Sequence, residues 1–136
     1  MSSIGISIIL PTLNEEENLK KIIPEIIYKF QENNLSYEIV VVDDNSSDNT
    51  ELTMNKFISE NPNIKFVKRK NDPSLPLSIY EGIENSKFEY VMWLDADGSM
   101  PVDDMLKLVM TQKDNINDVI IGSRFVNKNP FLKDGM

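Results

Sequence analysis

Short apolar segments rich in β-branched residues alternate with longer segments of helical periodicity along almost the whole chain. The strand-like segments cover residues 4–10, 38–42, 64–67, 90–94 and 119–121. Between them, apolar residues recur at spacings of three and four, which is the pattern of a helix with one buried face. Because strands that alternate with helices form βαβ units, we predict an α/β fold in which a mostly parallel sheet carries helices on both faces.

Capping signals mark the expected starts of the helices. Asn14, which three glutamates follow, predicts the start of the first helix, and Pro24 is expected to kink or divide that helix. Asp48 and Glu51 form a variant of the capping box at the start of the second helix. The third and fourth helices are predicted over residues 77–86 and 101–112.

Composition removes several classes of chemistry. The chain has no cysteine and no histidine, so disulfides, common zinc sites, thiolate nucleophiles and histidine-based triads are excluded. A net charge of −8 argues against nucleic acid as a partner. One local basic cluster is interpreted as the solvated end of a strand, and its members are Lys65, Lys68, Arg69 and Lys70.

Length and hydropathy set the expected organisation and location. With 136 residues, the chain is predicted to form one domain with its own core. Its longest apolar runs are strand-sized, and the first of them lacks the basic start and cleavage site of a signal peptide. We therefore expect the protein in the cytoplasm or bound peripherally at the cytoplasmic surface of a membrane.

The fourth predicted strand ends in two carboxylates, Asp95 and Asp97, which are separated by one residue. Ligands of open α/β sheets bind at the carboxyl ends of the strands, and carboxylate oxygens are the ligands that Mg²⁺ prefers. The pair therefore predicts a site for Mg²⁺ or Mn²⁺ that bridges to phosphate groups. Aspartate is also a common turn residue, so a purely structural role is the alternative interpretation.

Two further strand ends carry polar residues, at 11–15 and 43–48, and a parallel sheet would bring them to the same edge. The acidic residues expected there are Glu15, Asp43, Asp44, Asp48, Asp95 and Asp97. These carboxylates would repel each other unless a cation or hydrogen-bond donors were supplied. The crowding favours a ligand with hydroxyls and metal-bound phosphates, although Asn14 and Asp48 are expected to serve only as caps.

Four polar motifs occur in a fixed order along the chain. They are IILPTLNEEEN at 8–18, VVVDDNSSDNT at 40–50, WLDADG at 93–98 and IIGSRFV at 120–126. Their order and spacing resemble those of family 2 glycosyltransferases, and they look most like the dolichyl-phosphate mannosyltransferase branch. The resemblance covers nearly the whole chain and implies the GT-A fold, in which a Rossmann-like half binds the nucleotide.

The resemblance implies that the first two motifs bind the nucleotide of an activated sugar. Pro11, Thr12, Glu15 and Asp43 would contact the base and the ribose, with Asp44 close by. The expected donor is a GDP- or UDP-sugar.

The resemblance also implies the residues that act on the phosphates. Asp95 and Asp97 match the family's Asp-x-Asp, which binds Mg²⁺ or Mn²⁺ on the diphosphate, and Arg124 matches an arginine near the phosphates. The implied reaction is metal-assisted sugar transfer to a polyprenyl phosphate. Such an acceptor is already anionic, so it needs little help from a general base, which suits a chain without histidine.

Three positions depart from the branch. Residues 74–78 replace its usual Gly-Leu-Gly-x-Ala segment, Leu13 stands where an aromatic residue is common, and Ser99 stands where glutamine is frequent. The chain is also shorter than a whole GT-A domain, so residues 1–136 are expected to lack the C-terminal acceptor-binding part. A sheet edge or apolar face left exposed in this way would favour a homo-oligomer or a partner chain.

Other protein classes share single motifs with the chain. The segment VVVDDN at 40–45 resembles the acid pair of receiver domains, with Asp95 as the phosphoacceptor, but a complete strand and helix precede it. The segment LDADGS at 94–99 resembles the nucleophile loop of haloacid-dehalogenase phosphatases, which need later lysine and aspartate motifs. A non-catalytic module that binds nucleotide sugars or serves in assembly is the main alternative to an active transferase.

Overall fold

A four-stranded parallel sheet lies at the centre of the structure. The computed structural model of the chain describes residues 5–114, with side chains to residue 111. Its strands are β1 (Gly5–Thr12), β2 (Ser36–Asp43), β3 (Ile64–Lys68) and β4 (Tyr90–Trp93). They lie in the order β3-β2-β1-β4, and all three pairings are parallel, so the predicted parallel sheet is confirmed.

Four helices connect and follow the strands, and they cover both faces of the sheet as predicted. They are α1 (Glu16–Glu32), α2 (Thr50–Glu60), α3 (Leu75–Glu84) and α4 (Val102–Asp114). The first, second and fourth pack on one face, and α3 packs on the other. Helix α3 connects β3 to β4, so this connection crosses back over β2 and β1. It runs in the opposite direction to the connections through α1 and α2, and it lies on the opposite face of the sheet.

The larger core lies between the sheet and α1. This helix buries Leu19, Ile22, Ile23, Ile26 and Phe30 against alternate residues of β1 and β2. The Phe30 ring also meets the Tyr37 ring edge-on, with the centroids 5.8 Å apart. The apolar spacing of α1 therefore matches the face that the helix buries.

The smaller core lies under α3. On this face the sheet contributes Ile9, Val40 and Val42, and the buried residues of α3 are Ser78 and Gly82. A Cβ atom at Gly82 would lie 2.5 Å from Ile9 Cγ2, so the helix can approach the sheet this closely because position 82 lacks a side chain. The apolar side chains of Leu77, Tyr80 and Ile83 on α3 are exposed.

A buried carboxylate ties the segment after α3 to the amino-terminal part of the sheet. Glu38 Oε2 on β2 accepts hydrogen bonds from Ser7 Oγ at 2.6 Å and from Lys87 N at 2.5 Å. Ser7 Oγ in turn accepts a hydrogen bond from Phe88 N at 3.2 Å. Glu38 Oε1 accepts no hydrogen bond from the described residues, but Lys65 Nζ lies 3.0 Å away and balances its charge.

One prediction for α1 was wrong, and one of the two alternatives for Pro24 is excluded. Asn14 does not cap the helix, because it adopts φ 55° and its side chain bonds to the loop after β2; the N-cap residue is Glu15. Pro24 does not divide the helix, which runs without a break from Glu16 to Glu32. Pro24 is exposed, so water can bond the carbonyl that its missing N–H leaves free.

The starts of α2 and α3 also differ from the predictions. Asp48 Oδ1 accepts a hydrogen bond from Thr50 N, but Glu51 pairs with Lys68 at 2.8 Å instead of completing a capping box. The start of α3 lies two residues before the predicted one. There Ser74 Oγ accepts a hydrogen bond from Leu77 N and a proline occupies the first turn, where it costs no helical hydrogen bond.

Two sequence predictions fall on residues that the structure does not describe. They are the fifth strand at 119–121 and the site residue Arg124. Among residues 5–114, no helix is both long and apolar enough to cross a bilayer.

Candidate functional site

The strand order places a crevice at the carboxyl edge of the sheet. The chain continues from β1 to β2 and β3 on one side, whereas β4 lies on the other side of β1. The strand order therefore reverses between β1 and β4, and ligands of open α/β sheets bind at such a switch point. The first, second and third motifs of the sequence all follow strands at this edge.

Asp95 and Asp97 face solvent beyond the end of β4. Leu94 N donates a hydrogen bond to Ile9 O on β1 at 3.2 Å, so the backbone still follows the sheet at this point. Leu94 and Ala96 are buried, whereas Asp95 and Asp97, which alternate with them, are exposed. The backbone N–H of Ser99 donates to Asp97 Oδ1 at 2.9 Å and holds the pKa of Asp97 below its ordinary value. Asp97 is therefore ionised at neutral pH.

The chemistry of this pair fits a hard divalent cation. Asp95 and Asp97 offer exposed carboxylate oxygens, which are suitable ligands for Mg²⁺ or Mn²⁺. In the part of the chain that the structure describes, they do not belong to a cluster of three or more His, Cys, Asp or Glu residues that could hold a metal ion.

Asp43 has a different environment, because it is buried and surrounded by donors. It is 1% exposed and accepts hydrogen bonds from Thr12 Oγ1 at 3.1 Å, from Ser46 N at 2.8 Å and from Ser46 Oγ. These bonds join the end of β1 to the loop after β2. The expected repulsion between the clustered carboxylates is thus relieved at Asp43 by hydrogen-bond donors of the chain itself.

Asn14 strengthens the same connection between the two loops. Its Oδ1 accepts hydrogen bonds from Ser47 N at 2.8 Å and Asp48 N at 3.2 Å, and its own N–H donates to Ser46 Oγ at 2.8 Å. Neighbouring Glu15 is half-buried, and its Oε2 accepts a hydrogen bond from Asn18 Nδ2 at 2.6 Å. Asn14 therefore joins the first two motifs, a function that its interpretation as a cap did not include.

Two cavities adjoin along the edge of the sheet. The first has a volume of about 270 Å³ and is lined by Pro11, Thr12, Leu13, Asp44, Pro73, Ser74 and Leu75. The second has a volume of about 350 Å³ and is lined by Leu75, Trp93, Leu94, Asp95, Ser99 and Met100. Leu75 borders both, so the two cavities form a neighbouring pair, here called the groove, which lies between the ends of β1 and β2 and Asp95. Pro11, Thr12, Asp44 and Asp95 are the predicted site residues that line it.

Arg69 is the main residue that the sequence interpretation missed. It does not belong to a solvated strand end, because it is 4% exposed and forms ion pairs with Asp44 and Glu81. The position follows from the pairing of β3 with β2, which the sequence alone does not give. Lys68 pairs in register with Asp43, so a β3 strand beside β2 brings the next residue, Arg69, close to Asp44.

The fold is that of an open, parallel α/β protein, and comparisons identify its family. The family model "Glycosyl transferase family 2" matches residues 7–135. The chain therefore belongs to glycosyl transferase family 2, and the resemblance found in the sequence is confirmed.

Relatives and solved structures agree with this assignment. Dolichol-phosphate mannosyltransferase of Pyrococcus furiosus is 36% identical over 121 residues, which is 89% of this chain and 33% of that protein. Among solved structures, mannosyltransferase PcManGT from Pyrobaculum calidifontis, in complex with GDP-Man and Mn²⁺, superposes with a TM-score of 0.69 at 21% identity over 88% of this chain and 34% of that one.

A second solved structure has the same fold. Staphylococcus aureus TarS 1-349 in complex with UDP superposes with a TM-score of 0.59 at 22% identity, over 80% of this chain and 33% of that chain. The GT-A-type fold is thus shared, as predicted. The chain spans about a third of the length of these proteins.

Proposed function

We propose that this chain is the donor-binding portion of a glycosyltransferase, which holds a nucleotide-diphosphate sugar at the carboxyl edge of the sheet. One observation carries the proposal: the cavity lined by Asp95 and the cavity lined by Thr12 and Asp44 are neighbours that share Leu75 as a lining residue. A diphosphate that extends from a nucleoside in the first cavity would reach the carboxylates at the end of β4. Membership of family 2 supports this class of reaction.

Asp95 and Asp97 would hold the divalent cation, Mg²⁺ or Mn²⁺. Their exposure and the ionised state of Asp97 support this role, as does the Mn²⁺ in the PcManGT complex. When bound, such an ion supplies Lewis-acid stabilisation of the departing diphosphate. The two carboxylates of this chain would fix the ion at the mouth of the second cavity and so orient the diphosphate.

Pro11, Thr12 and Asp44 would border the nucleoside, with Glu15 and Asp43 in the loops beside them. The first cavity combines apolar walls with polar lining residues, a combination that suits a heterocyclic base. GDP and UDP are the candidate nucleotides, since one structural neighbour holds GDP-Man and another holds UDP.

The proposed acceptor is a polyprenyl phosphate at a cytoplasmic membrane surface. The relative from P. furiosus is named for dolichol phosphate, and an acceptor that is already anionic needs no histidine base. Arg124 is proposed to contact the phosphates through its planar guanidinium group. Its role stays a prediction, because the residue lies outside the described part of the chain.

Calorimetric titration with GDP- and UDP-sugars, with and without Mn²⁺, tests the donor site. We expect metal-dependent binding that Asp97→Asn abolishes and that Asp103→Asn retains, since Asp103 is an equally exposed aspartate on α4. Binding that needs no metal and is unchanged in Asp97→Asn would contradict the proposal. Labelling of Asp95 by acetyl phosphate would favour a receiver domain instead.

A transfer assay with a polyprenyl phosphate in detergent micelles then tests the reaction. Release of the nucleotide together with formation of a glycosylated lipid phosphate is the expected result. Metal-dependent binding of the nucleotide sugar without transfer would favour the non-catalytic binding module.

A further inference from the structure

Arg69 lies behind the first cavity and joins three segments of the chain. Its Nη1 donates to Asp44 Oδ1 at the end of β2 and to the carbonyl oxygen of Asp72 at 3.3 Å, and its Nε donates to Glu81 Oε2 on α3. The guanidinium is almost completely buried. A buried cation of this kind is retained only where it is paired and hydrogen-bonded, and here both carboxylates are in place.

Asp44 extends this network to the wall of the cavity. While Oδ1 binds Arg69, Oδ2 accepts hydrogen bonds from Ser74 N at 3.0 Å and from Ser78 Oγ at 2.9 Å. Asp44 and Ser74 both line the 270 Å³ cavity. The carboxylate of Asp44 thus holds the loop of Ser74 in place as a wall of the cavity, and Arg69 supplies the positive charge that pairs with this carboxylate.

We propose that Arg69 is a positioning residue for nucleotide binding, which holds Asp44 and residues 72–75 in their binding arrangement before the ligand arrives. The proposal rests on the proposed function, because it assigns the first cavity to the nucleoside. Arginine suits the position better than lysine, since its planar fork reaches Asp44, Asp72 and Glu81 at once, whereas an ammonium group is a compact point charge.

The expected effect follows from the population of the formed pocket. A wall that occupies its binding arrangement only a tenth of the time lowers the apparent affinity about tenfold, although the intrinsic contacts with the ligand are unchanged. Loss of Arg69 should therefore raise the dissociation constant of the nucleotide and loosen the loop, without removing any group that touches the ligand.

The test compares Arg69→Lys with Lys68→Gln in the full chain. Lys68 is the neighbouring cation, but its partner is Glu51 on α2, which does not line the groove. Calorimetry with GDP and UDP in the presence of Mn²⁺ gives the affinity. Amide hydrogen exchange at Ser74 measures how often the hydrogen bond from Ser74 N to Asp44 opens. We expect Arg69→Lys to weaken nucleotide binding by about tenfold and to accelerate exchange at Ser74, whereas Lys68→Gln changes neither.

The two readouts separate positioning from a merely structural role. If Arg69→Lys lowers the melting temperature but leaves the affinity of the folded chain and the exchange at Ser74 unchanged, the proposal is overturned. Wild-type chain that binds no nucleotide overturns the proposed function, and exchange at Ser74 still decides whether Arg69 holds the wall.

A second variant covers the case in which Arg69→Lys does not fold. Ser78→Ala removes one hydrogen bond to Asp44 Oδ2 from a fully buried position and keeps the Arg69–Asp44 pair. Faster exchange at Ser74 and weaker nucleotide binding are expected here as well. Unchanged values in a folded Ser78→Ala chain would show that the network does not control the pocket.

Discussion

Helices α1 and α3 cover opposite faces of one sheet, but they are attached to it by different interactions. Five apolar side chains of α1 are buried against β1 and β2. The buried residues of α3 are the small Ser78 and Gly82, and its Leu77, Tyr80 and Ile83 are exposed. Apolar burial therefore secures α1, whereas it contributes little to the position of α3.

Two buried carboxylates, one on β2 and one directly after it, position α3 instead. Asp44 bonds to Ser74 N and Ser78 Oγ at the start of the helix, and Glu38 bonds to Lys87 N shortly after its end. Apolar contacts are non-directional, but hydrogen bonds to a carboxylate define both distance and angle. The helix that borders the proposed donor site is thus positioned by directional bonds, while the opposite helix supplies most of the buried apolar surface.

The largest effect is expected for Phe30→Ala in α1. Truncation of a fully buried phenylalanine should lower the free energy of unfolding by about 3–5 kcal/mol. Urea denaturation followed by circular dichroism measures this change. The matched control is Tyr28→Ala, because Tyr28 lies on the exposed side of the same helix and should change stability by only about 0.5 kcal/mol. An equal decrease in the free energy of unfolding in both variants would contradict the conclusion that apolar burial secures α1.

Glu38→Gln tests the carboxylate anchor at the far end of α3. The substitution keeps the size of the side chain but removes the charge that faces Ser7 and Lys65, so the expected loss is about 1.5–3 kcal/mol. Glu60→Gln on α2, at an exposed position, is the control and should be nearly neutral. Nucleotide affinity should not change in Glu38→Gln, since Glu38 lines neither cavity of the groove.

The same anchor predicts a pH dependence of stability. Burial by itself would raise the pKa of Glu38, but hydrogen bonds from Ser7 and Lys87 and the ion pair with Lys65 hold it below its ordinary value. The ionised carboxylate therefore stabilises the folded chain above the ordinary pKa of about 4.5, and this contribution disappears as the pH falls through the lowered value. Unfolding measured from pH 6 to about pH 3 should show a steeper loss for the wild type than for Glu38→Gln.

Gly82→Ala tests how closely α3 must approach the sheet. The added methyl group would meet Ile9 Cγ2 at 2.5 Å, so overpacking should cost about 1–3 kcal/mol despite the better helix propensity of alanine. Ile83→Ala, next to it on the exposed flank, is the control. A stabilised Gly82→Ala chain would mean that α3 can move away from β1 without loss.

The smallest effect is expected for the ion pair between α1 and α4. Lys29 Nζ lies 2.7 Å from Asp103 Oδ1, and both side chains are substantially exposed. Lys29→Ala should therefore cost only about 0.2–1 kcal/mol, and the difference should shrink in high salt. A larger, salt-independent loss would show that α1 also depends on charged contacts.

The sequence predicted those parts of the fold that depend on local periodicity. Alternation of apolar residues located all four described strands, and the buried face of α1 agreed with its predicted apolar spacing. The ends of helices were less predictable. Asparagine is a common N-cap residue, but the partners of Asn14 are Ser47 and Asp48. They lie in another loop, and only the tertiary structure brings them close to Asn14.

The same reasoning separates the predictable and unpredictable parts of the site. Asp95 and Asp97 were singled out because they directly follow an apolar strand, and both are exposed in the structure. Arg69 was missed because its burial depends on which strand lies beside β3, which no pattern of spacing reveals. The roles of Asp95, Asp97 and the nucleotide-binding residues stay predictions until binding is measured.

The position of β1 has a consequence for the order of folding. This strand precedes the other three described strands in the chain but lies in the interior of the sheet, where Ile6 pairs with Tyr90 of β4, far along the chain. Contacts between distant residues form slowly, because the long intervening loop must first be closed. Docking of β4 is therefore expected after β1, β2 and β3 have assembled, and Asp95 and Asp97, which follow β4, would reach their place last.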